Sequence, residues 1–363
     1  MELIRGLHNL HSKHRGSVVT IGNFDGVHLG HQAILDQLGA HARRLGLPAV
    51  VVVFEPQPRE YFSGDQAPPR LTRLSDKVRL LGRSGADRVL CLPFNRRLRE
   101  LSARDFVERV LIEGLGVRHL VVGDDFRFGC DRAGDFDLLR RMGRSNAEEG
   151  MGAHGGFAVE HTRTFMKDGE RVSSTRVRTL LASGNFEQAA RLLGRPFAME
   201  GRVVHDRKLG RTIGVPTANL PLLKGPLVLK GVLAAVTRLE DGREFPGVLN
   251  VGWRPTVGSH RPVLEVHLFD LDESLYGQRL SVIPCARLRG EENFASFEAL
   301  KTQIYRDLAR ARDYFQRHPP DRSAPEGGAL DETISDAIRQ DATSPRHYPL
   351  ASAPLAPGEA GIA

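Results

Sequence analysis

His28-Leu29-Gly30-His31 places two histidines on either side of a glycine, and the chain around them dictates where they stand. The β-branched run Ser17–Ile21 before them reads as a buried strand. After them, Gln32–Leu47 sets Ile34, Leu35, Leu38, His41, Ala42 and Leu45 at helical spacing. The histidines therefore sit on a strand-to-helix turn, where free N–H groups and the helix dipole favour an anion. With no side chain on Gly30, both imidazoles could reach one ligand, donating to nucleotide phosphates and to charge that grows during transfer. A Gly-rich turn with two surface histidines would use the same residues.

Three further groups have comparable chemistry. Asp124 and Asp125 follow the apolar run Val117–Gly123, so they stand at a strand's carboxyl end. There they could hold a metal-bound phosphate or a ribose hydroxyl, or simply cap a turn. Ser173-Ser174-Thr175-Arg176-Val177-Arg178 opens a helix with hydroxyls followed by two arginines, a plausible phosphate clamp. Thr217 and Asn219 offer neutral oxygens two residues apart, which on an extended chain point the same way. Such oxygens beside nucleotide phosphates suit Mg²⁺, which takes few protein ligands. Gly210 and Gly214 just upstream suggest a mobile flap over the phosphates.

The elements that must position these groups alternate. Pro48–Phe54 and Asp87–Leu92 read as strands, Leu74–Arg83 as a helix opened by Ser75, and Ala103–Glu113 as an amphipathic helix with Phe106, Val107, Val110 and Leu111 inward. Glu55–Phe62 reads as a Pro-punctuated loop. Alternation at this spacing predicts an α/β domain, a doubly wound parallel sheet. After the break at Ser183–Phe186 and a short helix over Glu187–Gly194, the texture changes. Gly201–His205, Gly231–Thr237, Phe245–Gly252, Val263–Phe269 and Leu280–Ile283 are short, evenly spaced strands, which suggest a small closed antiparallel barrel. Glu291–Tyr314 should cover it as a helix, with Phe294, Phe297, Leu300, Ile304 and Leu308 on one side. His318–Ala363 is Pro-, Ala- and Asp-rich and reads as disordered, with a transient helix over Leu330–Gln340.

Gly22–His31, Gly123–Gly129 and Ser173–Arg178 resemble the adenylyltransferase blocks of bacterial bifunctional riboflavin kinase/FAD synthetases. Lys208–Leu220, with its Pro216-Thr217-Ala218-Asn219, resembles the same family's flavokinase motif, as do Asn250–Thr256, Leu264–Asp270 and Leu275–Gly277. The resemblance spans about residues 15–316. It implies a Rossmann-like nucleotidyltransferase domain over residues 1–185, a barrel flavokinase domain with a C-terminal helix over 186–317, and a tail over 318–363. It further implies that riboflavin is phosphorylated by Mg·ATP to FMN, and that FMN is adenylylated by ATP to FAD and pyrophosphate. By matched position, His28, His31 and Glu265 are catalytic, Glu265 being the base. Gly22, Asn23, Phe24, Asp25, Gly30, Ser174, Thr175, Arg176, Gly210 and Gly214 bind ATP or its phosphates. Asp124, Asp125 and Arg254 contact flavin or nucleotide, and Thr217 and Asn219 hold the metal. Three departures stand out: Gln57 where a histidine is usual, Leu233 in place of a tyrosine, and Trp253 at a position commonly small or polar.

Composition agrees with this reading and narrows it. At 363 residues the chain can hold two cores, and 40% hydrophobic with 26% charged residues is that of a globular protein. A formal charge of +7 suits phosphorylated metabolites; scattered Lys and Arg and 6% aromatics argue against nucleic acid. No apolar run approaches membrane-spanning length, and the start lacks signal-peptide character. Cys91, Cys130 and Cys285 fit neither a disulfide framework nor zinc spacing, which points to a reducing cytoplasm. The oligomeric state stays open.

Overall fold

The computed structural model describes residues 1–123, 125–148, 156–162, 164–205, 210, 213–222, 225–256 and 259–320. Six apolar segments pair in parallel: β1 (Glu2–Arg5), β2 (Ser17–Ile21), β3 (Ala49–Glu55), β4 (Arg88–Pro93), β5 (Val117–Val122) and β6 (Ala158–His161). Their order is β1-β4-β3-β2-β5-β6. Successive residues of a strand point to opposite faces, and here both faces are buried. Val19, Ile21, Val50 and Val52 pack on one side against Phe106, Val110 and Leu111. Val18, Val51 and Val53 pack on the other against Leu35, Leu38, Val78 and Leu81. The chain leaves β2 toward β3 and later returns to its other flank with β5, so the sheet's switch point lies between the carboxyl ends of β2 and β5. Open α/β sheets bind ligands at that crevice.

The helices of this half are α1 (Leu29–Leu45), α2 (Pro58–Ser63), α3 (Leu74–Arg83), α4 (Arg96–Arg99), α5 (Ala103–Phe106), which runs on as a π-helical stretch Val107–Gly114, and α6 (Phe136–Glu148). α4 and α6 have no counterpart in the sequence reading, and three further segments differ from expectation. α1 begins at Leu29 rather than Gln32, because His28 itself is the N-cap and accepts from the His31 N–H. The Glu55–Phe62 stretch is not all loop: Pro58 starts α2, and Gln57 and Glu60 form a reciprocal capping box. α3 has Arg73, not Ser75, as its N-cap; the Ser75 hydroxyl turns to Asp76 instead. A small β7 (Met166–Lys167) and β8 (Glu170–Arg171) hairpin precedes α7 (Ser174–Ser183) and α8 (Phe186–Leu193).

The second half is an antiparallel sheet of β9 (Met199–Arg202), β10 (Ala218–Pro221), β11 (Gly231–Arg238), β12 (Glu244–Thr256), β13 (Ser259–Leu268) and β14 (Arg279–Arg289), in the order β10-β13-β12-β11-β14-β9. A bridge from Val204 to Asn219 all but closes the ring. Its interior (Leu220, Leu233, Leu249, Val251, Leu264, Val266, Leu280) is one cluster with Val177 and Leu181 of α7 and Leu192 and Leu193 of α8. Leu233 is fully buried there, so an aliphatic side chain fills the barrel at this position.

The covering helix, α9, spans Phe297–Arg317 and not Glu291–Tyr314, with Ser296 as its cap. Its buried residues are Asp307, Ala311 and Phe315, whereas Phe297, expected inward, is 54% exposed. Arg289 of β14 reaches Asp307 at 2.8 Å, on the face where Ala311 and Phe315 pack against the barrel. Residues 321–363, including the expected transient helix, lie outside the described residues.

Candidate active sites

The turn after β2 is strained where it is most useful. Phe24 (φ 47°) and Val27 (φ 42°) adopt left-handed backbone, unusual for any side chain and most of all for a β-branched one. The conformation is held from outside. Asp25 is 2% exposed and accepts from the Leu71 N–H (3.0 Å), the Thr72 N–H (3.1 Å), the Thr72 hydroxyl (3.1 Å) and Arg178 (2.5 Å). Its carboxylate thus braces the turn rather than facing the crevice. The Ser174 hydroxyl donates to the Asp25 carbonyl at 2.9 Å, which brings the start of α7 against the turn that begins α1. Two helix N-termini, nearly 150 residues apart in sequence, so converge on one spot.

His28 and His31 stack there with ring centroids 3.6 Å apart, and Phe24 lies 4.9 Å from His31. Gly30 makes this arrangement fit: a Cβ on it would stand 3.2 Å from the His28 ring and 3.4 Å from the Val172 carbonyl. The His31 N–H donates to His28 Nδ1 at 3.3 Å, so the His28 ring proton belongs on Nε2. Burial lowers the His28 pKa to about 4 and pushes His31 well down too. Both imidazoles are neutral donors at neutral pH. His31 Nδ1 is buried without a hydrogen-bond partner.

The other expected residues are distributed around this pair. Ser173 caps α7, Thr175 is exposed, and Arg176 pairs with Glu170 of β8. Arg178 is committed to Asp25 and the Pro69 carbonyl, so of the two arginines only Arg176 keeps the reach of a clamp. Asp125 is exposed beyond β5, with Arg171 at 3.7 Å; Asp124 lies outside the described residues. Sequence reasoning missed Lys77. Its side chain is fully buried, its Nζ has no hydrogen-bond partner, and burial lowers its pKa despite Asp25 and Glu55.

In the barrel, Asn219, Glu265 and Asn250 form a row across β10, β13 and β12, each directly opposite the next. Asn250 Nδ2 donates to Glu265 Oε2 at 3.4 Å. Thr217 is half-buried just before β10, two residues from Asn219. A Cβ on Gly210 would collide with the Val215 carbonyl and stand 3.5 Å from the Thr217 hydroxyl, so glycine lets this turn close over Thr217. The described end of the expected flap is anchored: the Tyr305 hydroxyl of α9 donates to the Ile213 carbonyl at 2.8 Å, with Gly214 exposed beside it. Lys208 and the residues around it at 206–209 and 211–212 lie outside the described residues. Arg254 is on β12 opposite Arg261, its side chain outside the described atoms. Asn250 heads one of the blocks that carry the resemblance but has no role assigned from sequence; strand register places it on Glu265. A cleft of about 410 Å³ opens where the halves meet, lined by Arg70, Asp76, Glu200 and Leu227 among others, and includes neither histidine nor Glu265.

The family described as FAD synthetase matches residues 10–176, and that described as riboflavin kinase matches residues 193–315. The bifunctional riboflavin kinase/FMN adenylyltransferase of Pseudomonas fluorescens is 54% identical over 313 residues, covering 86% of this chain and 97% of its own. The chain belongs to the bifunctional riboflavin kinase/FMN adenylyltransferase family. It is a transferase with both activities, one for each half that matches. The enzyme of the same name from Escherichia coli (strain K12) is 48% identical over 316 residues, 87% of this chain and 98% of that one. A crystal structure titled as a macrolide-efflux protein from Streptococcus pneumoniae superposes with a TM-score of 0.69 at 27% identity, covering 86% of this chain and 99% of that one. Among the described residues, no helix of this family member is long and apolar enough to cross a membrane.

Proposed function

We propose that adenylyl transfer takes place at His28 and His31 and phosphorylation at Glu265. The observation that carries the first assignment is the meeting of two helix N-termini on a stacked pair of neutral imidazoles at the sheet's switch point. ATP phosphates fit against Gly22, Asn23, Phe24, Gly30, Ser174 and Thr175, with Arg176 above them. A phosphate oxygen of FMN attacks the α-phosphorus, the bond to the bridging oxygen breaks, and pyrophosphate leaves. Charge grows on the departing oxygens, and the His28 and His31 N–H groups donate to it without giving up a proton. Asp125 borders the acceptor side.

In the barrel, Glu265 takes the proton from the riboflavin 5′-hydroxyl as that oxygen attacks the γ-phosphorus and ADP leaves. Asn250 holds the carboxylate in line. The neutral, half-buried oxygens of Thr217 and Asn219 suit Mg²⁺, which neutralises phosphate charge when bound. This reading divides the enzyme into modules over residues 1–185 and 186–317, with a tail over 318–363. Its substrates are riboflavin, FMN and ATP; no nucleic acid enters. Three free cysteines fit a reducing cytoplasm.

The test is chromatography of products from riboflavin and Mg·ATP. The double variant His28→Ala/His31→Ala should accumulate FMN and make no FAD. Normal FAD output from it would overturn the assignment.

A further inference from the structure

At the far end of α1 from the catalytic histidines, a second cluster of ligating side chains lies outside both sites. His41 is on α1, His119 on β5 and Glu160 on β6. Strand alternation explains the meeting. His119 and Val121 share the face of β5 that packs under α1, and Glu160 stands opposite Val121 in the neighbouring strand. Gln37 and His41, one helical turn apart, look down on that face.

His41 Nε2 is 2.8 Å from Glu160 Oε2, and His119 Nε2 is 3.3 Å from the same oxygen. The donor atoms of the three residues all lie within 4.8 Å of one another. The two rings stack with centroids 3.9 Å apart and planes 18° from parallel. His119 is 6% exposed, and its Nε2 is buried without an aligned hydrogen bond. Glu160 Oε1 is already engaged, accepting from Gln37 Nε2 at 2.6 Å. The carboxylate is thereby oriented with Oε2 toward the imidazoles, as outer partners orient metal-ligating carboxylates.

We propose that His41, His119 and Glu160 form a structural site for a first-row transition cation of the Zn²⁺ type. Two imidazoles and one carboxylate are the donors such an ion prefers, and Mg²⁺ disfavours. The ion gives the buried His119 Nε2 the partner it lacks. Arg44 can only donate, and it lies 3.0 Å from His41 Nδ1, so without an ion the His41 proton is on Nε2 facing Glu160. Binding moves that proton to Nδ1, and the exposed Arg44 swings away. Rotation about χ2 of His41, at the surface, aims its lone pair beside that of His119. The bound ion pins the last turns of α1 to the sheet edge at β6. His31 is ten residues away along the same helix, about 15 Å.

The test uses the full chain, stripped by chelation and titrated with Zn²⁺ or Co²⁺ in excess Mg²⁺ without nucleotide. We expect one equivalent to bind, with visible Co²⁺ bands and a rise in Tm. His41→Ala and Glu160→Gln, both near the surface, should lose this uptake while still making FMN and FAD with Mg²⁺. Gln37→Leu should weaken it by about tenfold or more. His28→Ala/His31→Ala should keep it. Uptake unchanged in His41→Ala and Glu160→Gln, uptake lost with His28 and His31, or no uptake at all would each overturn the proposal.

Discussion

Arg178 donates to Asp25 at 2.5 Å across 153 residues of sequence, and this pair locks the histidine turn to the start of α7. Both partners are largely buried, at 16% and 2% side-chain exposure. Removing one side of such a pair strands the other charge, at about 3–5 kcal/mol. We expect Asp25→Asn to lower unfolding stability by an amount near the low end of that range, because Asn keeps some of the hydrogen bonds. FAD formation should fall steeply while riboflavin phosphorylation persists. Denaturant titration and product assay together check it; equal loss of both activities would point to global unfolding instead.

Stability should depend on His28 in a defined pH window. Its pKa falls from 6.5 to about 4 on folding, because burial disfavours the charged form. Above the unfolded value both states are neutral and nothing is lost. As pH drops from 6.5 toward 4, only the unfolded chain takes up the proton, so the fold loses up to roughly 3 kcal/mol from this group. His31, shifted in the same direction by burial, adds to the loss. His28→Asn keeps a cap for α1 without the imidazole, and should flatten the acid limb of ΔG measured against pH while lowering FAD output by roughly a hundredfold.

Glu265→Gln should fold normally and lose FMN formation by about 10²–10⁴-fold in kcat, since Gln keeps the contact to Asn250 but takes no proton. Supplied FMN should still become FAD. Thr217→Ala and Asn219→Ala should instead raise the Mg²⁺ and ATP concentrations needed for half-maximal rate. Wild-type turnover in Glu265→Gln would move the base elsewhere.

Lys77→Met should stabilise the protein. The Nζ is buried with no hydrogen-bond partner, and an unpaired buried polar group costs about 1–3 kcal/mol. Met fills similar volume without that cost, so Tm should rise. A fall in Tm would show that Asp25 and Glu55 draw more stability from the ammonium than its burial removes.

The central strands β2 to β5 were readable because Val50–Val53 and their like are apolar on both faces, and only a sheet covered twice accommodates that; the four-residue edge strands β1 and β6 carry no such run and were not read. Helix starts were less readable. His28 caps α1 with an imidazole rather than a hydroxyl or carboxylate, so periodicity placed the start three residues late. β10 was hidden by its four-residue length, and the start of α9 by Phe294 and Phe297, which helical periodicity drew onto the inner face although the helix starts at Phe297 and leaves it exposed. At the sites, types and spacing brought out the paired histidines, which the structure stacks. Partnerships across the sequence did not show. Nothing local announces that Asp25 belongs to Arg178, or that Asn250 holds Glu265.

The residue that opens the second half reaches back into the first. Arg195 donates to the carbonyls of Gly26 (2.6 Å), Val27 (3.1 Å) and Leu193 (3.2 Å), and burial lowers its pKa to about 10. The strained backbone that seats His28 is therefore propped by a guanidinium encoded downstream of the FAD synthetase match, which stops at residue 176. The dependence runs both ways, since Arg79 and Asp76 of α3 pair with Glu200 of β9 and Arg279 of β14. A lineage that lost the kinase half by deletion would have to invent a replacement prop before its transferase worked well, and one that lost the transferase half would have to replace the partners of Glu200 and Arg279 and the cover that Val177 and Leu181 give the barrel. Fusion of the two catalysts is in that sense a ratchet.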